Sequence, residues 1–366
     1  MSEQLKVERE LLSPPGDDIL ETIEHIKMSQ AELSDRLGKT PSKVHDLITA
    51  KEPITFNTAL QLEKVLGIEA QFWLNREMNY RTKLARLEQE EVLEKDKEWL
   101  AQQPIRELKK CGYLKADKAG ATMVSEALEF YGVVNTEKWQ SRYINDFATA
   151  AYRKSEAHQT ALGSMAAWFR MGEKEMQKMQ LPEYNKDAFK LTLEEIKIIV
   201  AKQSKDFEKL LQEKCAKAGV AIVYTLCLPK APVSGATRWF RTNPLIQLSD
   251  RHKTNDHFWF TFYHEAAHIL LHPKKEVFFE EFDGYKPDKE KEKEADHLAA
   301  KYLLPESFED ELPFKIIEED VEAIAKKYKT HPGIVVGRLQ HLGLVRCSFG
   351  NRYKVKVDLF NTIKAK

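Results

Sequence analysis

The sequence predicts a mainly α-helical protein with an all-α helix-turn-helix at the N-terminus and a small α+β domain towards the C-terminus. Three observations carry this. Apolar residues recur at helical spacing through most of the chain. Helix start and stop signals crowd together between Ser29 and Pro41. The strand candidates VAIVYTL, ATRWF and PLIQLS fall close together, between Val220 and Ser249.

At 366 residues the chain exceeds one comfortable core, so two or three domains are expected. Hydrophobic residues make up 42% and charged residues 31%, an ordinary balance for a globular protein. Lys+Arg and Asp+Glu both number 57, so any basic surface for a polyanion must be local. The N-terminal stretch MSEQLKVERELL has no apolar h-region, and no run of 18 apolar residues occurs, which argues against a membrane partner. Cys111, Cys215, Cys227 and Cys347 lack metal or redox spacing. They are expected to be reduced, mostly buried thiols in a cytoplasmic protein.

Residues 17 to 80 read as several short helices. Leu33, Leu37, Val44, Leu47 and Ile48 supply a helical apolar stripe. Ser29 is an N-cap with Glu32 three residues on, a capping-box arrangement. Gly38 fits the left-handed position that ends the helix. Thr40 caps the next one, with Pro41 at its first position. Residues 81–103 are strong helix formers without Gly or Pro and read as a solvated connecting helix. Residues 104–190 alternate helical segments with turns and carry no chemical motif. From Leu191 one long amphipathic helix is expected up to Gly219, then the three strands, then the apolar helix DHFWFTFYHEAAHILLH and the helix KEKEADHLAAKYLL, stopped by Pro305. AIAKKYKTHPGIVVGRL, near the C-terminus, echoes the first helix-turn-helix. The expected division is 1–80, 81–190, 191–310 and 311–366.

His264, Glu265 and His268 form a His-Glu-x-x-His motif. Helical residues four apart share a face, so both histidines can reach one metal. Glu265 is rotated about 100° from His264 and can address a water on that metal as general base. Two histidines and a carboxylate in an otherwise apolar helix need a reason to be there, and a metal supplies one. A third protein ligand is needed. Glu290, Glu292 and Glu294 are on offer. Glu292 shares an edge of its helix with Asp296, so Glu292 is the preferred ligand, with Asp296 holding the outer nitrogen of a ligand histidine. Glu294 is the alternative, pointing elsewhere. His272 is either a fourth ligand or a residue past the helix end that caps it or faces solvent. Tyr263, Arg238, His331 and Arg338 are candidate transition-state donors.

HEAAHILLH followed by E-x-E-A-D-x-x-A-A-x-x-L-L-P is similar to the ImmA/IrrE family of metallopeptidases, and the resemblance runs through SGATRW and IQLS over roughly residues 195–305. It implies a zincin-like fold and a Zn2+ site in which His264, His268 and Glu292 are ligands and Glu265 is the catalytic base. Many members have Gly where this chain has Ala267, a small residue too. Members cleave helix-turn-helix repressors. Peptidases of this kind hold extended substrates by strand addition, so PLIQLS is either an edge strand or an interior one.

TPSKVHDLITAKEPITFNTALQLEKVLGIEAQFWLN resembles the HigA-like antitoxin branch of the Xre/Cro helix-turn-helix family, over about residues 14–80. The resemblance makes residues 41–50 the recognition helix. Gln30, Thr40, Ser42, Lys43 and His45 are the candidate DNA contacts, Gln30 to phosphate. Residues 14–80 carry seven Lys+Arg against eleven Asp+Glu, whereas Arg36, Lys39, Lys43 and Lys51 outnumber Asp46 within 36–51. The expected function is a zinc endopeptidase and transcription regulator that cleaves a repressor or antitoxin and binds operator DNA, with a homodimer among its expected partners. The rival expectation is a repressor or antitoxin whose zinc domain is a non-catalytic sensor or scaffold.

Overall fold

The structure, a computed structural model, describes residues 3–144, 156–251, 253–273, 278–279 and 288–360. It is mainly α with a small α+β region, and its residues divide into two compact units: 1–100 with 114–127, and 101–113 with 128–366.

The first unit contains α1 (Glu3–Glu10), α2 (Pro15–His25), α3 (Gln30–Leu37), α4 (Pro41–Ile48), α5 (Phe56–Leu66) and α6 (Ala70–Lys95). Ser29 accepts the Glu32 N–H, Gly38 adopts φ 61°, and Thr40 accepts the Lys43 N–H ahead of Pro41. A residue with a β-carbon is disfavoured at that left-handed position, so Gly38 makes the short turn between α3 and α4 accessible. Ile19, Leu33, Leu37, Val44, Leu47, Leu62 and Trp73 close one core beneath the two helices. The connecting helix expected from residue 81 starts at Ala70 instead. No Gly or Pro interrupts Ala70–Lys95, so nothing ends the helix near 80. Its first turns are tied down by Trp73 in the core, by Arg76 to Asp18 at 2.6 Å and by Arg81 to the Ala50 carbonyl at 2.7 Å.

Chain order continues with α7 (Ile105–Lys110), α8 (Ala121–Tyr131), in which the division falls, α9 (Thr136–Trp139) and α10 (Glu156–Met176). The long helix expected over 191–219 is two helices, α11 (Lys186–Lys202) and α12 (Phe207–Lys217). Gln203 breaks it with φ 44°, and its side-chain oxygen accepts the Trp259 indole N–H at 2.7 Å. The break lets Phe189, Leu193 and Ile196 of α11, with Phe207 and Leu211 of α12, meet one core.

That core covers a sheet of order β1-β3-β2-β4, from β1 (Ala221–Thr225), β2 (Gly235–Phe240), β3 (Asn243–Ser249) and the two-residue β4 (Phe278–Phe279). β3 pairs in parallel with β1 and antiparallel with β2, so both its ladders are used. PLIQLS is therefore interior, and strand addition at β3 is ruled out. Its near-continuous burial is what a strand covered on both faces requires.

α13 (Asn255–Leu271) lies on this sheet and packs along α14 (Lys289–Leu303). Phe258, Trp259, Phe262 and Tyr263 of α13 are buried with Ala299 and Leu303 of α14. α15 (Glu318–Tyr328) and α16 (Pro332–His341) follow, with Lys329 at φ 51° between them. The expected C-terminal helices are these two; residues 361–366 of the tail lie outside the described residues. Among the described residues no helix is long and apolar enough to cross a membrane. Cys215 is buried, Cys111 and Cys227 are half-buried and Cys347 is exposed, so the thiols are less buried than expected.

Candidate metal centre

α13 is held at a fixed height over β2. A β-carbon on Gly235 would meet the Glu265 Cγ at 2.9 Å and the Thr261 methyl at 2.6 Å, so strand and helix touch where glycine leaves room. Thr237 of β2 donates its hydroxyl to the Glu265 main-chain carbonyl at 2.9 Å. At the far end, the Lys186 ammonium donates to the Leu270 carbonyl at 2.7 Å, a cation placed at a helix C-terminus. Glu265 is 2% exposed.

On this support three ligand atoms converge. The Nε2 atoms of His264 and His268 are 3.0 Å apart, Glu292 Oε2 is 3.1 Å from His264 Nε2, and Glu292 Oε1 is 3.6 Å from His268 Nε2. Metal–ligand legs of 2.0–2.1 Å in a tetrahedron set neighbouring ligand atoms about 3.3 Å apart, so the donor set fits a zinc-sized ion. Glu292 Oε1 is buried without a hydrogen-bond partner among the described residues, as expected of an oxygen with a cation to meet. Two imidazole nitrogens cannot approach lone pair to lone pair, so a proton or a cation has to lie between them.

The electrostatics of the protein alone tell the same story. Burial opposes a charge on His264, but hydrogen bonds to Asp296 and Glu292 and the charge of Glu265 outweigh it and hold the ring up to about 10. Burial also dominates at His268 and lowers it, Glu292 only partly compensating. Burial would raise Glu292, but the two histidines win and hold its carboxyl at about 2. A dication at the same point takes over the role of the proton on His264.

The outer nitrogens also have partners. His264 Nδ1 lies 2.8 Å from Asp296 Oδ1. His268 Nδ1 lies 2.9 Å from His272 Nδ1, and His272 Nε2 lies 3.1 Å from Glu294 Oε2. His272 is the C-cap of α13, its main-chain N–H donating to the His268 carbonyl, as one arm of the expectation had it; its side chain is 3% exposed, so the ring does not face solvent. Glu294 points away from the three converging atoms, and Glu290 is an exposed first-turn residue beside Lys293.

The four candidate donors are committed elsewhere. Tyr263 is fully buried, stacked on Tyr302, and donates to the Leu193 carbonyl at 3.0 Å. Arg238 joins Glu173, Phe169 and Gln247 in a buried network. His331 caps α16, its Nδ1 accepting the Gly333 N–H at 3.0 Å, and Arg338 pairs with Glu309 at 3.3 Å. Sequence reasoning missed the roles of His272, Glu294, Thr237 and Gly235. His272 was legible as the fourth residue after His268; the strand contacts had no local signal.

In the first unit, Gln30, Thr40, Ser42, Lys43 and His45 are all exposed. The Thr40 oxygen is engaged as a cap at 3.4 Å from the Lys43 nitrogen, whereas the Ser42 and Lys43 side chains stand on the open N-terminal turn of α4.

Comparison with known proteins matches residues 215–340 to the peptidase M78 family model, the IrrE N-terminal-like domain. The matched stretch spans the sheet, the three converging side chains, α15 and nearly all of α16. Virulence-associated protein I of Dichelobacter nodosus is 31% identical over 81 residues, 21% of this chain and 73% of that protein. The uncharacterized HTH-type transcriptional regulator YddM of Escherichia coli (strain K12) is 34% identical over 61 residues, 17% of this chain and 65% of that protein. The chain thus spans just under two thirds of the second relative's length.

Proposed function

Because the chain belongs to the IrrE N-terminal-like family and carries a helix-turn-helix ahead of the family domain, we propose that it is a zinc-dependent endopeptidase and transcription regulator. The observation that carries the reading is the meeting of His264 Nε2, His268 Nε2 and the Glu292 carboxylate beside buried Glu265. His264, His268 and Glu292 hold Zn2+. Zinc, when bound, acidifies a water and polarises a peptide carbonyl. Glu265 accepts the proton of the attacking water and returns it to the leaving amine. Its main chain is held by the Thr237 hydroxyl, and Gly235 leaves the room its side chain occupies. Asp296 fixes the ring of His264.

Ser42 and Lys43 reach operator DNA from the exposed end of α4, with Gln30 at phosphate and His45 at the margin. The helix-turn-helix brings the peptidase to a promoter or to another helix-turn-helix protein. That protein, a repressor or antitoxin, is the substrate, and co-localisation raises its local concentration.

Purified full-length protein should hold about one zinc per chain. His264→Ala and His268→Ala should abolish it, and Glu292→Ala should weaken it strongly. Glu265→Gln should keep the metal and lose cleavage of a neighbouring helix-turn-helix repressor. Loss of metal in Glu265→Gln as complete as in the histidine variants would refute the division into ligands and base. Zinc uptake without cleavage of any such partner would favour a sensor or scaffold.

A further inference from the structure

We infer that His272 is a positioning residue for the metal site, holding the ring of His268 from behind and held in turn by Glu294. The inference rests on the zinc reading above and goes beyond it, because it gives each ligand histidine its own outer support.

The geometry dictates the tautomers. A metal that takes the Nε2 lone pairs of both His264 and His268 leaves the hydrogen of each neutral ring on Nδ1. The Nδ1–H of His264 then donates to Asp296 Oδ1 at 2.8 Å. The Nδ1–H of His268 points at His272 Nδ1, 2.9 Å away, which must therefore present its lone pair. The hydrogen of neutral His272 is left on Nε2, where Glu294 Oε2 accepts it at 3.1 Å. Every donor in this chain meets an acceptor, and every link runs outward from the metal. Were His268 to bind a metal through Nδ1, the 2.9 Å approach of His272 would put a second ring nitrogen in the way.

Burial separates this relay from a chance surface contact. The side chains of His268 and His272 are 1% and 3% exposed, while Glu294 is 62% exposed. The structure thus buries a second imidazole behind the first and anchors it by one carboxylate at the surface. α14 supplies both outer carboxylates, Asp296 and Glu294, and the ligand Glu292 as well. One helix therefore sets the orientation of both ligand rings. Outer partners of this kind commonly change metal affinity about 10–100-fold.

The test uses the full-length chain, with Zn2+ affinity measured against a chromogenic chelator and the visible spectrum recorded with Co2+. His272→Ala should lower zinc affinity about 10–100-fold and shift the cobalt bands, because the ring of His268 is no longer fixed. His272→Asn, whose side-chain oxygen takes the place of the ring Nδ1 and can accept from the His268 Nδ1–H, should recover most of the loss. Glu294→Ala, a change at an exposed side chain that leaves folding intact, should give a smaller loss in the same direction. Leu271→Ala, next door and 48% exposed, should change nothing. Wild-type affinity and an unshifted cobalt spectrum in both His272→Ala and Glu294→Ala would overturn the inference. So would a His272→Asn variant no better than His272→Ala. A wild-type chain that takes up no metal would instead refute the zinc reading on which the inference rests.

Discussion

The chain makes the same backbone turn twice and uses it differently each time. α3 and α4 are joined through Gly38 at φ 61°, with Thr40 as cap and Pro41 leading the second helix. α15 and α16 are joined through Lys329 at φ 51°, with His331 as cap and Pro332 leading. In the first turn the leading residues Ser42 and Lys43 are exposed, and burial is confined to Val44, Leu47 and Ile48. In the second, Gly333, Ile334, Val335, Val336 and Leu339 are buried, α16 packs on α13, and the His331 ring nitrogen lies 3.1 Å from the Asn255 side-chain amide. The helix-turn-helix outline therefore specifies a shape, and the exposure of the second helix decides whether that shape can meet a partner.

The sharpest way to break this comparison is to make both second helices equally dispensable. Leu339→Ala, at a fully buried position, should lower stability by about 2–5 kcal/mol in chemical unfolding. Lys43→Ala should leave stability unchanged. Equal effects would mean that α16 is no more structural than α4.

The caps allow a finer test. Thr40→Ala should cost about 0.5–2 kcal/mol as a lost helix cap. His331→Ala should cost more than Thr40→Ala, since it also removes the contact with Asn255. A smaller loss at His331 would reverse the assignment of the second turn to packing.

Acid should distinguish the regions too. Burial opposes ionisation of Asp256, but hydrogen bonds to Lys354 and Thr254 and the charge of Lys354 outweigh it, so its carboxyl is held below the ordinary 3.8. A depressed folded pKa means that stability is fully contributed above the unfolded value and lost as pH falls through the folded one. The second unit should therefore weaken below about pH 4, and Lys354→Met should flatten that dependence in thermal unfolding. An unchanged pH profile in Lys354→Met would show that the 2.6 Å pair contributes nothing.

The smallest effect lies on DNA. If Lys43 meets a phosphate, Lys43→Ala should reduce the salt slope of operator binding by roughly one unit, while Lys329→Ala leaves it untouched. A reduced slope in Lys329→Ala would give the second turn a nucleic-acid role after all.

What the sequence made legible is local and periodic. Ser29, Gly38, Thr40 and Pro41 announce their turn because capping is a matter of adjacent residues. The phase of α14 followed from its apolar face, which places Glu292 and Asp296 on one edge. What stayed hidden depends on partners distant in the chain. Gln203 ends a helix although it is neither Gly nor Asn, and the indole that donates to it lies 56 residues on. β3 could not be told from an edge strand, because pairing on both sides is decided by β1 and β2 together. Whether the His272 ring was a ligand or faced solvent could not be told, because nothing adjacent to it shows that Glu294 will return to it.

The meeting of α13 and α14 at Glu292 has a mechanical consequence. His264 and Glu292 are 28 residues apart in the chain, and a metal bound between them would tie that stretch into a closed ring. Unlike a disulfide, such a tie is released when the chain unfolds, so its stabilisation would grow with the free metal concentration rather than with the length of the loop. A metal bound there would be a staple as well as a reagent: it would add to the apolar packing that already joins α13 to α14, and so steady the helix that presents Glu265.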